Sequence, residues 1–300
     1  MLIVGMIRGV QIRTNKQCTS INFRRVTNII YVFWGGIMKI TKNDIDNGKA
    51  FDWGRTSADY AKFRDIYPTV FYEKLIKMGL CIKGQRVLDI GTGTGVLPRN
   101  LYKYGAEFTG ADISQNQIEQ ARSLSKKDGM NISYVVSSAE TLEFPSNHFD
   151  TVTACQCYVY FDKNLVFPKI HSILKKGGHF CILFVSWLIE ESEIAANSEK
   201  LILKYNPFWS AHSMKRFTYD FPEEAAGLFE VENSFCYDVS IPFTRDSWNG
   251  RMKTCRGIGA GELSSKEVAK WEEDHIAYLK TVPRKFDIPH FVTVFNLRKG

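Results

Sequence analysis

One stretch limits the fold of this chain more than any other: Val87-Leu88-Asp89-Ile90-Gly91-Thr92-Gly93-Thr94-Gly95. An apolar run leads straight into three glycines at alternate positions, and a helix-competent segment follows from Val96. A strand that enters a glycine turn and opens a helix is the first half of a βαβ unit. Glycine there supplies positive φ and lets a ligand press against the main chain. The same rhythm continues downstream. Segments 86–90, 107–112, 132–136, 149–155 and 179–185 are short runs of strand-forming residues, separated by stretches of helical period. Near-continuous apolar strands alternating with helices predict a parallel sheet covered on both faces.

Local signals fill in the connections. Ser114 and Gln117 predict a capping box, and Ile118, Ala121, Leu124 and Ser125 predict one inward helix face. Lys175-Lys176-Gly177-Gly178 is predicted to close the helix before the fifth strand. After Val185 the pattern changes. Residues 186–228 read as helical and aromatic-rich, and 231–243 and 289–297 read as two long antiparallel strands. Two helices are expected between those strands. The second opens on a Ser264 to Glu267 capping box and carries Val268, Trp271, His275, Leu279 and Val282 on one stripe. The expected fold class is α/β: a Rossmann-like, seven-stranded, mostly parallel sheet with strand seven antiparallel, an N-terminal helical lid and a helical insertion. The expected divisions are a lid over 38–84, a ligand-binding core over 85–185, and a cover with the final strands over 186–300.

A glycine turn alone fits NAD, FAD or S-adenosylmethionine. Dinucleotide folds use G-x-G-x-x-G because a pyrophosphate must sit on the helix N-terminus. Here the spacing is G-x-G-x-G, preceded by Asp89 inside the strand. S-adenosylmethionine has no phosphate but has an ammonium group, which a nearby carboxylate suits. Asp112, 23 residues beyond Asp89, closes the second strand, where an acid can accept hydrogen bonds from both ribose hydroxyls.

With these elements in hand, Asp89–Gly95, Ala111–Ser114, Ser138-Ala139-Glu140, Phe149-Asp150 and Leu174–Gly178 resemble the successive motifs of class I S-adenosylmethionine-dependent methyltransferases. They are most similar to the methyltransferase-domain group related to ubiquinone and menaquinone biosynthesis enzymes, over about 85–185. The resemblance implies S-adenosylmethionine as cofactor and an enzyme that methylates a small-molecule acceptor. It implies cofactor contacts from Asp89, Gly91, Thr92, Gly93, Gly95, Asp112, Ile113, Ala139, Glu140 and Cys155. Family members often carry aspartate where Ser138 stands, which leaves Glu140 as the substitute near adenine. The segment Phe51–Pro68 resembles the lid helix of small-molecule members, and Tyr60 and Arg64 share one helix face there. The stretch Ala154–Asp162 should border the sulfonium, where aromatic rings face a cation without a counter-ion. It lacks the Asn/Asp-Pro-Pro-Tyr type of motif that accompanies methylation of base or glutamine nitrogens.

Candidates for acceptor chemistry lie in the variable part: Trp248, Arg251, Arg256, His275 and His290. His275, His290 and Arg251 are the expected catalytic residues, against the plainer reading that both histidines belong to the core. The aromatics of 186–285, including Trp187, Tyr205, Phe208, Trp209, Phe217 and Trp248, are expected to build the acceptor pocket. No metal is expected. Two rival functions are a Rossmann-fold NAD-dependent oxidoreductase, disfavoured by the missing third glycine of the dinucleotide turn, and a non-catalytic S-adenosylmethionine-binding protein.

Composition bounds the partners. The net charge is +7, but Arg8, Arg13, Lys16, Arg24 and Arg25 lie in an acid-free segment, 1–37. The rest is nearly neutral, which removes the electrostatic footprint of a nucleic-acid binder. Residues 1–37 are expected to be a non-native or disordered leader ahead of Met38. Its apolar run, 29–38, falls short of the ~20 residues needed to cross a bilayer. Seven cysteines without a C-x-x-C pair suit a reducing cytoplasm and read as buried thiols rather than metal ligands. The expected partners are a small-molecule acceptor and no nucleic acid or membrane, in a monomer or homodimer.

Overall fold

A computed structural model describes residues 29–34 and 37–300. Of the segment 1–37, residues 1–28 and 35–36 lie outside the described residues. Strand β1 (Ile29–Trp34) pairs antiparallel with β2 (Ile37–Lys42), so the pairing runs across the boundary expected at Met38. The lid continues through short 3-10 turns at Asp46–Gly48 and Trp53–Thr56 into α1 (Ser57–Phe63) and α2 (Thr69–Lys77).

The main sheet follows. In chain order its strands and helices are β3 (Arg86–Ile90), α3 (Val96–Leu101), β4 (Glu107–Asp112), α4 (Gln115–Lys127), β5 (Ser133–Val136), β6 (Phe149–Cys155), α5 (Lys163–Ile173), β7 (Leu174–Trp187), α6 (Glu193–Tyr205), β8 (Phe229–Thr244), α7 (Arg245–Lys253), α8 (Ser265–Leu279) and β9 (Lys285–Lys299). The seven strands lie in the order β5-β4-β3-β6-β7-β9-β8. The first five are mutually parallel, and β9 runs antiparallel between β7 and β8. The last of the seven strands in sequence is therefore the antiparallel one, as the pattern of apolar runs predicts.

Strand residues alternate between two cores. In β7, Cys181, Leu183, Val185 and Trp187 face one layer with Phe71 and Leu75 of α2, Ile202 of α6, Trp248 of α7 and Trp271 of α8. Phe180 and Ile182 face the other, with Val166, Phe167 and Ile170 of α5. Both faces are covered, which is why four successive residues of β3, Val87–Ile90, are buried rather than every second one. Each fully buried Leu, Ile or Phe contributes about 1.5–3 kcal/mol relative to exposure.

Three local expectations are corrected. Lys175–Gly178 does not end a helix: α5 stops at Ile173 and β7 begins at Leu174. The two glycines instead carry a bulge, where the register with β6 jumps from Phe149↔Leu174 to Thr151↔His179 and Gly177 takes φ +71°. The Ser114 box is only half formed. Ser114 accepts from the Gln117 amide, but the Gln117 side chain donates to the Trp53 carbonyl of the lid (3.0 Å). The stretch 206–228 carries a single 3-10 turn at Glu223–Ala225 rather than helix. The Ser264–Glu267 box, by contrast, is complete.

Candidate active site

The carboxyl ends of β3 to β7 open into one cleft of about 530 Å³, in the range of small-molecule sites, ~300–1,000 Å³. Its floor is the glycine turn. Gly91 and Gly95 sit at φ +62° and +73°. A Cβ on Gly91 would lie 2.6 Å from that of Cys157, and one on Gly95 would lie 2.4 Å from the Tyr134 hydroxyl. Neither position tolerates a side chain. Gly93 borders the cleft beside the Tyr60 ring, which lies 3.6 Å from where a Gly93 Cβ would be.

Asp112 ends β4 and lines the same cleft. Its Oδ2 accepts from the Gly93 amide (2.8 Å) and its Oδ1 from the Ser114 amide (2.9 Å). Each oxygen keeps a further lone pair, so the two amides aim the carboxylate without exhausting it. Burial raises its pKa while these amides pull it down. Asp89 is more deeply buried, with Thr153 Oγ1 donating to its Oδ1 (2.6 Å). Burial pushes its pKa up to about 7.

Beyond β5, Ser138, Ala139 and Glu140 line the cleft wall. Glu140 Oε1 accepts from the Asp162 amide (3.0 Å), and the Ser138 hydroxyl lies 3.0 Å from that of Thr141. Beyond β6, Cys155 through Phe161 form the next wall, with Gln156 at φ +68°. The lid closes the opposite side with Trp53, Tyr60 and Arg64. The Arg64 guanidinium lies over Tyr60 at 4.8 Å and over Trp53 at 5.7 Å.

The region that builds this floor is similar to known proteins. Residues 87–178 match the model described as "Methyltransferase domain". Over 130 residues the chain is 29% identical to ubiquinone biosynthesis O-methyltransferase of Coxiella burnetii, covering 43% of this chain and 55% of the relative. Over 107 residues it is 36% identical to a ubiquinone/menaquinone biosynthesis C-methyltransferase of Psychromonas ingrahamii, covering 34% and 43%. The chain thus spans about half the length of the curated relatives it matches. Among solved structures, the YcgJ protein of Bacillus subtilis is 19% identical and covers 76% of this chain and 97% of its own, at a TM-score of 0.44.

The expected cofactor residues Gly91, Gly93, Asp112, Ile113, Ala139, Glu140, Cys155, Tyr60 and Arg64 all border the cleft. Asp89 and Thr92 border a small recess beneath it, with Tyr67, Arg251 and His290. Gly95 does not reach either; it starts α3. The expected catalytic set divides. His275 is corrected to a core residue: it lies outside the cleft, stacks on Trp271 at 4.7 Å and places Nδ1 2.8 Å from Asn249 Oδ1 and Nε2 2.9 Å from Ser198 Oγ. Burial lowers its pKa to about 4. Trp248 also belongs to the core, donating to Ser198. His290 reaches the recess, with Nδ1 donating to the Ile288 carbonyl (2.8 Å) and Nε2 without a partner. Its pKa falls to about 3, chiefly through burial.

Arg251 lines both cleft and recess, its guanidinium 4.9 Å over the Trp187 ring. Of the six aromatics expected to build the acceptor pocket, Trp187 and Trp209 line the cleft. Phe217 packs on Phe184 and Phe291, Tyr205 bonds Asp274, and Phe208 is exposed beneath Lys49.

Sequence reasoning missed the clasp at the cleft mouth. Asp46 accepts from the Arg256 guanidinium and from the Ser210 amide (2.7 Å) and hydroxyl (2.9 Å). Arg256 also donates to the Tyr160 hydroxyl (2.6 Å). Lid, insertion and the post-β6 wall meet there. The partners are 210 residues apart, and nothing local announces the pair.

Proposed function

We propose that this chain transfers the methyl group of S-adenosylmethionine to a small-molecule acceptor enclosed in the cleft. The observation that carries the reading is the Asp112 carboxylate, aimed by the Gly93 and Ser114 amides and lining the cleft together with Gly91 and Gly93. The residues fit the cofactor. Asp112 takes the ribose hydroxyls, Ala139 and Glu140 flank the adenine, and Asp89 with the Gly91 turn faces the methionine ammonium. Arg64 supplies a cation for the methionine carboxylate, and Cys155–Tyr160 lie along the sulfonium. The cofactor itself supplies an activated methyl group with a good leaving group.

The protein's contribution is then orientation and exclusion of water. Trp53, Trp187 and Trp209 supply a largely apolar cover, and positioning of the two reactants accounts for most of the acceleration. His290, with its pKa near 3, is matched to accepting a hydrogen bond rather than to storing a proton near neutral pH. The near-neutral charge outside 1–37 supports a metabolite acceptor over nucleic acid. Among the described residues no helix is long and apolar enough to cross a membrane. A cytoplasmic monomer or homodimer is part of the proposal.

The test is transfer of isotopically labelled methyl from S-adenosylmethionine into a fractionated metabolite extract, with bulk protein and RNA in parallel. Label in a small-molecule fraction that disappears with Asp112→Asn supports the reading. Label in protein or RNA in preference, or tight binding of NAD with none of S-adenosylhomocysteine, overturns it.

A further inference from the structure

A half-buried guanidinium, Arg64, and a buried one, Arg251, meet in the cleft at Cys255, and no carboxylate among the described residues pairs with either. Arg64 donates to the Thr254 hydroxyl (2.8 Å) and carbonyl (2.9 Å) and stacks on Tyr60. Arg251, 5% exposed, donates to Cys255 Sγ (3.2 Å) and leaves its Nε without a partner. The other cleft arginine, Arg256, has Asp46. A buried cation without an anion is costly. Burial and the neighbouring Arg64 both hold the Arg251 pKa below the usual guanidinium value.

We propose that Arg251 binds an anionic oxygen group of the methyl acceptor, a carboxylate being the simplest, so that the acceptor class is a small organic acid. The inference rests on the methyl-transfer reading above. S-adenosylmethionine brings one carboxylate against an ammonium and a sulfonium, so it enters as a net cation. That carboxylate can answer one arginine. Arg64 is the one on the lid, beside the Tyr60 ring that faces Gly93. Arg251 is held instead on the cover side, its guanidinium 4.9 Å over the Trp187 ring at the end of β7 and its Nε without a partner, which leaves that donor for a planar oxyanion. An acceptor anion is the group that balances the remaining charge. The unpartnered Nε2 of His290, in the same recess, offers a lone pair to a hydroxyl or amine hydrogen on the same acceptor.

The test uses the full chain, its Arg251→Met and Arg251→Lys variants, and Arg64→Met. Benzoate and the neutral benzamide serve as acceptor probes, titrated with and without S-adenosylhomocysteine. Calorimetry with S-adenosylhomocysteine and with 5′-methylthioadenosine, which lacks the amino-acid carboxylate, monitors the cofactor side. The unaltered chain is expected to bind benzoate at least ten-fold more tightly than benzamide. Arg251→Met should remove that preference while S-adenosylhomocysteine affinity stays within two-fold, and Arg251→Lys, which keeps the charge and the fold, should retain part of it. Arg64→Met should weaken S-adenosylhomocysteine but not methylthioadenosine. The proposal is overturned if the unaltered chain does not distinguish the two probes. It is also overturned if Arg251→Met weakens S-adenosylhomocysteine ten-fold while methylthioadenosine is unchanged, which would assign Arg251 to the cofactor. Failure of the unaltered chain to bind either nucleoside strikes the methyl-transfer reading instead, and the benzoate preference without nucleoside then decides the anion site by itself.

Discussion

Separating Asp46 from Arg256 should show how strongly the lid is buckled to the insertion. The pair is buried, with Asp46 3% and Arg256 8% exposed. Asp46→Leu leaves the guanidinium with only the Tyr160 and Ser210 hydroxyls. Breaking a buried pair from one side costs about 3–5 kcal/mol, because the remaining charge is desolvated without compensation. Arg256→Met leaves the Asp46 carboxylate with the two Ser210 donors, each charge-assisted bond contributing about 1.5–3 kcal/mol, so its loss should be smaller. The double variant removes both desolvated charges. Its loss should fall short of the sum of the singles by about 1–3 kcal/mol. Urea unfolding followed by tryptophan fluorescence measures all four corners of the cycle, and a 4 kcal/mol loss corresponds to roughly 8–16 °C in Tm for a domain of this size. Additivity within about 0.5 kcal/mol would refute the reasoning, since independent sites behave that way.

Other expectations are simpler to check. Asp112→Ala should weaken S-adenosylhomocysteine by about 1.5–3 kcal/mol for each ribose bond lost, measured by calorimetry, and no change would remove Asp112 from the site. Asp89 titrates near pH 7, and its ionised form suits the ammonium. S-adenosylhomocysteine affinity should therefore rise between roughly pH 6 and 7.5, while methylthioadenosine, which has no ammonium, stays flat. His290 binds protons more weakly folded than unfolded, so its contribution to stability is present above the unfolded value near 6.5 and is lost as pH falls toward 3. His290→Gln should flatten that acid limb by on the order of 3 kcal/mol by pH 4, read from unfolding curves. A chain beginning at Met38 should keep the cofactor affinity of the full chain, because cleft-lining residues among those described begin at Ile40.

Much of the floor was legible because its causes are local. Gly91 and Gly95 are demanded by positive φ and close neighbours, Asp112 by the end of a strand, and the strands themselves by runs of apolar residues. Tyr60 and Arg64 were legible as one helix face. The two histidines show the limit. Both stand in apolar surroundings, and the sequence offers no difference between them. His275 is locked by Asn249 and Ser198, whereas His290 opens on the recess, and both outcomes depend on contacts from distant segments. Gln117 was legible as a capping residue, but a lid 64 residues upstream takes its side chain. The Lys175–Gly178 bulge escaped for a similar reason: basic residues followed by glycines satisfy helix-end and bulge chemistry equally, and pairing with β6 decides between them.

The place of β9 has a consequence for the order in which the molecule can assemble. β7 and β8 do not pair with each other; β9 lies between them, pairing with the edge of β7 that faces away from β6 and with β8 along its length. Until residues 285–299 are available, β7 presents a long row of unpaired backbone groups beside an apolar surface, and β8 has no sheet to join. The parallel half, β3 to β7, can form early during synthesis, but the wall that carries Trp187 and positions Arg251 waits for the final strand. A nascent chain stalled before Lys285 is thus a sheet with a sticky open edge and an unfinished cleft, the kind of species that chaperones bind.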